Sequence, residues 1–449
     1  MSQSEQQPEQ KPKEKKSTTD LKLMEWRFSQ FLGESLTLEE IKKEPENESF
    51  LVTDLKFSHD GSHVVVTDKG GRVIIFRRTD QSGKSPKLDY FYEFLAQEKD
   101  FDVCKSIEYS EEVRAVEILR TPTYDKLDIL TAGYRTIKLD RVYKDNIPLL
   151  DESQEPANDG DIVIPRVQSI QSEIKSKKKR MLRCTHTNCI NSLSLSKLDD
   201  HSFISSDEYR VYLWDINLDG RDVYTPVDIE LTNENESAEK ITKATFSERN
   251  PHIFLYGTNK GNIRLCDLRV ASEQLKFEAN FNDEKSTISD VIINSLQSIH
   301  DIKSPNANDY CFATRQFFSV FLWDTRMQKE PVRKFLTYEP IIKKLNYIYQ
   351  KSYINDKFSL DIDPTGKLIL TGSYNNMFHI IDIDQRLNTQ IVIDGSNQKI
   401  MNTNVIRKIN PKGSCYYKKD DPSIQNINFD KKILHQAYSP VGNIKKIIN

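Results

Sequence analysis

A chain of 449 residues with 37% hydrophobic and 10% aromatic side chains can bury a core, and 64 basic against 67 acidic residues leave a net charge of −3. No field of one sign recruits nucleic acid or a membrane surface. No apolar run approaches the ~18 residues that cross a bilayer, and residues 1–22 lack the apolar stretch of a signal peptide. The six cysteines never form a CxxC pair and read as small buried hydrophobes of a reducing compartment, which places the chain in cytosol, nucleus or both.

In chain order, residues 1–22 are polar and are expected to be a disordered tail. Segment 24–31 alternates as a strand, with Trp26 and Phe28 expected to pack where a ring of strands closes. One pattern then recurs as a strand end: RVIIF to Phe76, TIKLD to Asp140, RVYLWD to Asp215, NIRLCD to Asp267, SVFLWD to Asp324 and MFHIID to Asp382. Opening strands precede these at 55–61, 116–122, 193–200, 244–251 and 360–366, another opens a last unit at 437–442, and the fifth is a degenerate one near Ile292–Leu296. The later ends lie 52, 57 and 58 residues apart, a propeller-blade period with loop insertions. The expected fold is all-β, a seven-bladed β-propeller over 23–449, which presents surfaces and supplies no catalytic group.

Naming the strands of a blade a to d from the axis outward, antiparallel order puts b–c turns and d–a connectors on one face, called top. The b–c turns are predicted at 68–71, 133–135, 207–209, 259–262, 315–318 and 374–376, where Gly and Asn supply φ > 0. Insertions at 77–105, 143–178 and 385–430 are too long for turns. The second lies between c and d strands and emerges on the bottom face, with IVIPRV at 162–167 as half of a protruding hairpin.

Acidic residues gather on the predicted top face: Asp207 and Glu208 in the third b–c turn, Glu234, Glu236 and Glu239 in the next connector, and Glu98, Asp100 and Asp102 earlier. Together they can form a groove for a basic peptide; the competing reading is a solvated rim. The run KSKKKR at 175–180 reads as an import signal, a phosphate patch or a solvated linker, the last being the commonest fate of a charge run. His186 and His201 sit at strand edges without metal-ligand spacing and read as structural histidines. DKGG and NKGN are hairpin turns and not a phosphate loop, so neither metal nor cofactor is expected.

WRFSQ at 26–30, DKGGRVIIF at 68–76, FDVCKSIE at 101–108, HTNCINSLS at 186–194, GTNKGNIRLCDLR at 257–269, DKFSLDIDPTGKLILTGSYNN at 356–376 and NFDKKILHQAYSP at 428–440 resemble, in order, the WD-repeat regulatory B subunit of type 2A serine/threonine protein phosphatase. The resemblance implies a non-catalytic subunit that docks a helical-repeat scaffold and a catalytic subunit and selects phosphoserine or phosphothreonine proteins. It implies that the second blade's hairpin, here Ile162, Val163, Ile164, Pro165 and Arg166, reaches the scaffold. It also implies that Asp207, Glu208, Tyr349 and Lys357 bind substrate on the top face, where the reading of the charges adds Glu236 and Glu239. Asn188, Cys189, Ser237 and Asn355 stand where the family has Tyr, His, Leu and Phe, which thins the apolar wall of that groove. A general WD-repeat scaffold or ubiquitin-ligase adaptor is the rival reading. After AYSPVGNI the family continues through two more strands, so either the seventh blade lacks its b and c strands or the sequence there is a misread gene end.

Overall fold

The computed structural model describes residues 49–79, 87–97, 99–102, 107–120, 126–150, 167–182, 186–218, 223–229, 239–269, 275–278, 295–305, 310–337, 345–383, 389–394, 405–408, 429, 431–440 and 445–448. Within them, six antiparallel sheets of four or five strands follow one another along the chain, each wound from an inner strand outward, with a two-stranded sheet, Lys99–Asp102 and Ile107–Ser110, between the first two. The first blade is Val52–Phe57, His63–Asp68, Arg72–Thr79 and Lys87–Leu95. The second is Ala115–Ile118, Lys126–Ala132, Ile137–Leu150 and Val167–Leu182. The third is Ser192–Leu195, Ser202–Ser206, Arg210–Asp215 and Tyr224–Asp228. The fourth is Ile241–Phe246, Ile253–Thr258, Asn262–Asp267 and Leu275–Glu278, and the fifth Asp301–Lys303, Cys311–Arg315, Ser319–Asp324 and Arg333–Leu336. The sixth has five strands, Leu360–Ile362 to Val405–Lys408, and a two-stranded sheet pairs His435–Tyr438 with Lys445–Ile448.

The second strands of the blades are buried on both sides, as HVVVTD and IFLYGT show, because each blade is sandwiched between two others. The core is accordingly split into clusters between blades: Val65, Val73 and Ile75 of the first meet Val116, Ile129 and Val142 of the second, and Leu130 and Leu139 meet Phe203 and Trp214. Cys266 occupies in the fourth blade the register that Trp214 and Trp323 hold in theirs, opposite a Phe in each case, and burial pushes its thiol up to about 12.

Inner strands of successive blades carry amides that no ladder pairs, and side chains accept them instead. Asp54 accepts from the Val116 amide (3.1 Å), Ser192 from Ala244 (2.9 Å), Asp301 from Leu360 (2.8 Å) and Asp361 from Tyr438 (2.5 Å). The last bond ties His435–Tyr438 to the sixth blade, while Ala437 packs with Leu55 and Val64 of the first, so this strand sits between the two.

Several sequence expectations are revised. The fifth opening strand is Asp301–Lys303, and Leu296 packs in a helical turn instead. Most of 143–178 is regular strand, and KSKKKR lies inside Val167–Leu182, not in a linker. The stretch 385–430 supplies the sixth blade's two outer strands, Thr389–Asp394 and Val405–Lys408. The tail 1–22, Trp26 and Phe28 lie outside the described residues.

Candidate functional site

All six b–c turns fall where the sequence puts them, between the second and third strands of the blades. Gly71, Gly261, Asn375 and Asn376 carry their turns at positive φ. The d–a connectors share this face, among them a short helix, Leu345–Gln350, and the 3-10 turn Tyr353–Asn355.

In the third turn the two neighbouring acids part company. Asp207 is 0% exposed. Its Oδ1 accepts the amides of Tyr209 (2.9 Å) and Arg210 (2.8 Å), and its Oδ2 lies 3.0 Å from Nδ1 of His186. His186 Nε2 meets Ser205 Oγ at 2.7 Å, and the Trp214 indole donates to the same oxygen at 2.7 Å. One assignment satisfies every atom: Trp214 donates to Ser205, Ser205 to His186, and His186 to Asp207. Burial alone would push the Asp207 carboxyl up, but His186 and the two amides hold it below the usual range. The expectation of an exposed groove carboxylate is corrected here: Asp207 builds the turn.

Glu208 does reach solvent. Its side chain is 32% exposed and pairs with Lys240 of the following connector at 2.8 Å. Glu239 accepts from Thr258 (2.8 Å), Asn262 (2.7 Å) and Arg264 (3.4 Å), so it braces the fourth blade's b–c turn. Elsewhere on the face Glu112 pairs with Arg114 (2.6 Å) and Asp356 with Lys432 (2.5 Å). The described part of the top face therefore has mixed charge and is not uniformly acidic. Glu234, Glu236, Glu98 and Ser237 lie outside the described residues, and of Asp100 and Asp102 only the strand Lys99–Asp102 is described.

Lys357 follows the 3-10 turn. Surrounding protein and the cations Arg114 and Lys243 push its ammonium down, against the pull of Glu208 and Glu112. These five groups, from four different parts of the chain, thus converge electrostatically. Tyr349 is 46% exposed on the short helix, whose Ile348 is buried in a cluster with Phe317, Phe358, Tyr374 and Phe429. Asn355 is exposed, and Asn188 and Cys189 are half-buried. Sequence reasoning missed Lys240, Lys243 and Arg114, whose only signal was their position within the d–a connectors and inner strand facing the turns.

On the opposite face, strands Ile137–Leu150 and Val167–Leu182 pair along their whole length. Their neighbour Lys126–Ala132 stops at Tyr143, so Lys144–Leu150 and its partners form a free two-stranded arm. Seven residues at ~3.3 Å each carry it roughly 23 Å beyond the blade. Its base is fixed: Asp128 holds both Arg141 (2.6 Å) and Lys179 (3.1 Å), and Arg180 donates to the carbonyls of Ile216 (2.6 Å) and Leu218 (2.7 Å). Ile162, Val163, Ile164, Pro165 and Arg166 lie outside the described residues.

Among the described residues no His, Cys, Asp or Glu group could hold a metal, and no helix is long and apolar enough to cross a membrane. No family model matches the chain. The 55 kDa regulatory subunit of protein phosphatase PP2A from Drosophila melanogaster is 30% identical to it over 440 residues, covering 93% of this chain and 84% of that one. With the repeated blades, the b–c turn motifs and this likeness in hand, the chain belongs to the WD-repeat B family of PP2A regulatory subunits, which regulate the phosphatase without being its enzyme.

Proposed function

We propose that this chain is the substrate-selecting subunit of a heterotrimeric type 2A phosphatase, docking the helical-repeat scaffold and the catalytic subunit. It holds a basic segment of a phosphoserine or phosphothreonine protein on its top face, so that a nearby phosphosite meets the partner's active site at raised effective concentration. The observation that carries this reading is the arm of the second blade, rigid at its base and projecting from the face opposite the b–c turns. Scaffold and substrate then have separate surfaces, and neither blocks the other. Glu208, Tyr349 and Lys357, which reach solvent on the top face, are the groups assigned to substrate together with Glu236; Asp207 builds the turn that carries Glu208, and Glu239 braces the neighbouring one. The ring is read as seven-bladed, with His435–Tyr438 as the innermost strand of the seventh.

The test removes the arm without disturbing the blade. Lys144 faces Ile174 in the register, so replacing 145–173 by Asn-Gly closes a two-residue hairpin at that pair. The shortened chain is expected to keep its melting temperature and lose co-purification with the scaffold. Scaffold recovered at undiminished yield would overturn the assignment.

A further inference from the structure

We infer that Lys240 is an internal competitor for Glu208 and makes the top face select arginine-bearing over lysine-bearing segments; this rests on the substrate-groove reading above. The ammonium of Lys240 lies 2.8 Å from Glu208 Oε2 and 5.8 Å from the ring of Tyr209, where an incoming basic side chain would have to sit.

Lys240 is held there by the backbone. Its amide donates to Asn259 Oδ1 at 2.8 Å and its carbonyl accepts from the Asn259 amide at 2.9 Å, while the Ile241 amide donates to the Glu208 carbonyl at 2.7 Å. The connector is thus clamped between the third and fourth b–c turns, and the lysine stem starts from a fixed point. A competitor ordered in advance gives up less freedom than a peptide does on binding. The hydrogen bond that Lys240 donates to Glu208 also holds its ammonium above the usual lysine range.

A substrate lysine offers Glu208 the same single ammonium contact that Lys240 already makes, so exchange gains little. An arginine differs: its planar fork can bind both carboxylate oxygens and stack on the Tyr209 ring. Both partners of the internal pair are partly exposed, 42% for Lys240 and 32% for Glu208, so the pair is displaceable and not a locked element.

The experiment measures binding of the full chain to three fluorescein-labelled phosphoserine peptides, identical except for two flanking arginines, lysines or norleucines. The proteins are wild type, Lys240→Met, Glu208→Gln and the double variant, with melting temperatures as a folding check. Lys240→Met is expected to tighten the lysine peptide by about two- to fivefold, the range an exposed ion pair commands, and to narrow the arginine preference. Both effects are expected to vanish in the Glu208→Gln background. If Glu208→Gln weakens the basic peptides but Lys240→Met leaves them unchanged or weaker, the competitor role is wrong and the groove stands. If no protein separates either basic peptide from the norleucine one, the groove reading itself fails, and the inference with it.

Discussion

Replacing Asp207 by Ala removes an acceptor on which three donors depend: the half-buried amides of Tyr209 and Arg210 and the buried imidazole of His186. An alanine there offers none of them a partner, and the site is too closed for water to enter freely, with Asp207 at 0% and His186 at 4% exposure. Leaving a buried donor unpaired costs about 1–3 kcal/mol each, and neighbours relax enough that the three do not add in full. The expected loss is therefore about 3–5 kcal/mol, far outside the ±0.5 kcal/mol of an exposed turn charge. Urea denaturation followed by circular dichroism gives the global figure, and amide exchange at Tyr209 and Arg210 the local one. Because the folded Asp207 carboxyl titrates below its unfolded counterpart, its contribution is present above about pH 4 and disappears as pH falls through the folded value. A midpoint within error of wild type, with both amides still protected, would refute the chain of hydrogen bonds from Trp214 to Asp207.

Asp140 gives the opposite sign. In three blades the repeated aspartate ends its strand and caps the turn, Asp215 accepting from the Asn217 amide (2.7 Å), Asp267 from Arg269 (3.0 Å) and Asp324 from Arg326 (3.0 Å). In the second blade the strand runs on to Leu150, so Asp140 has no turn to cap; its Oδ2 is buried without a hydrogen bond, and burial pushes the carboxyl up to about 6 despite Lys138 and Lys178. The folded state then holds a proton that the unfolded chain releases, and stability falls as pH rises from about 4 to 6. Asp140→Asn is expected to stabilise by on the order of 2–3 kcal/mol at pH 7 and to flatten that slope, read by denaturation at pH 5 and pH 7.5; equal variants at both pH values would overturn it. At the seam of the last sheet, a Cβ on Gly372 would lie 2.0 Å from the Ile433 carbonyl oxygen, a backbone atom that cannot swing away. Gly372→Ala is expected to lose at least ~3 kcal/mol in a melting experiment, and an unchanged melting temperature would mean that the strand and the segment before His435 do not approach so closely.

The repeat was legible because a blade's third strand buries alternate positions between the blades and, in the third, fourth and fifth blades, ends at a turn that an aspartate caps, which leaves Val-x-Φ-Trp-Asp in plain view. The b–c turns were legible for a related reason: where φ is positive, only Gly and Asn serve well, and they stand at 71, 261, 375 and 376. What was lost is what depends on partners distant in the chain. Asp207 and Glu208 are adjacent carboxylates with the same charge, and nothing local says that one turns inward; the reason is His186, 21 residues upstream, held in place by Ser205 and Trp214. That constellation was a readable signal, since the histidine, serine, aspartate and tryptophan all stood in one unit. KSKKKR was misread because it forms the blade's outermost strand, an edge whose side chains at 176–179 are exposed, so it needs no alternation of apolar and polar residues to be a strand. The fifth inner strand was missed for a similar reason: Asp301–Lys303 is three residues long and charged at both ends, and its burial comes from neighbours, with Lys243 at 3.6 Å and the Leu360 amide at 2.8 Å on Asp301. A motif therefore fixes where a strand ends only if the chain turns there. The aspartate that caps a turn in the third, fourth and fifth blades keeps a buried oxygen without a hydrogen bond in the second, and what separates the two is whether the strand ends there or runs on.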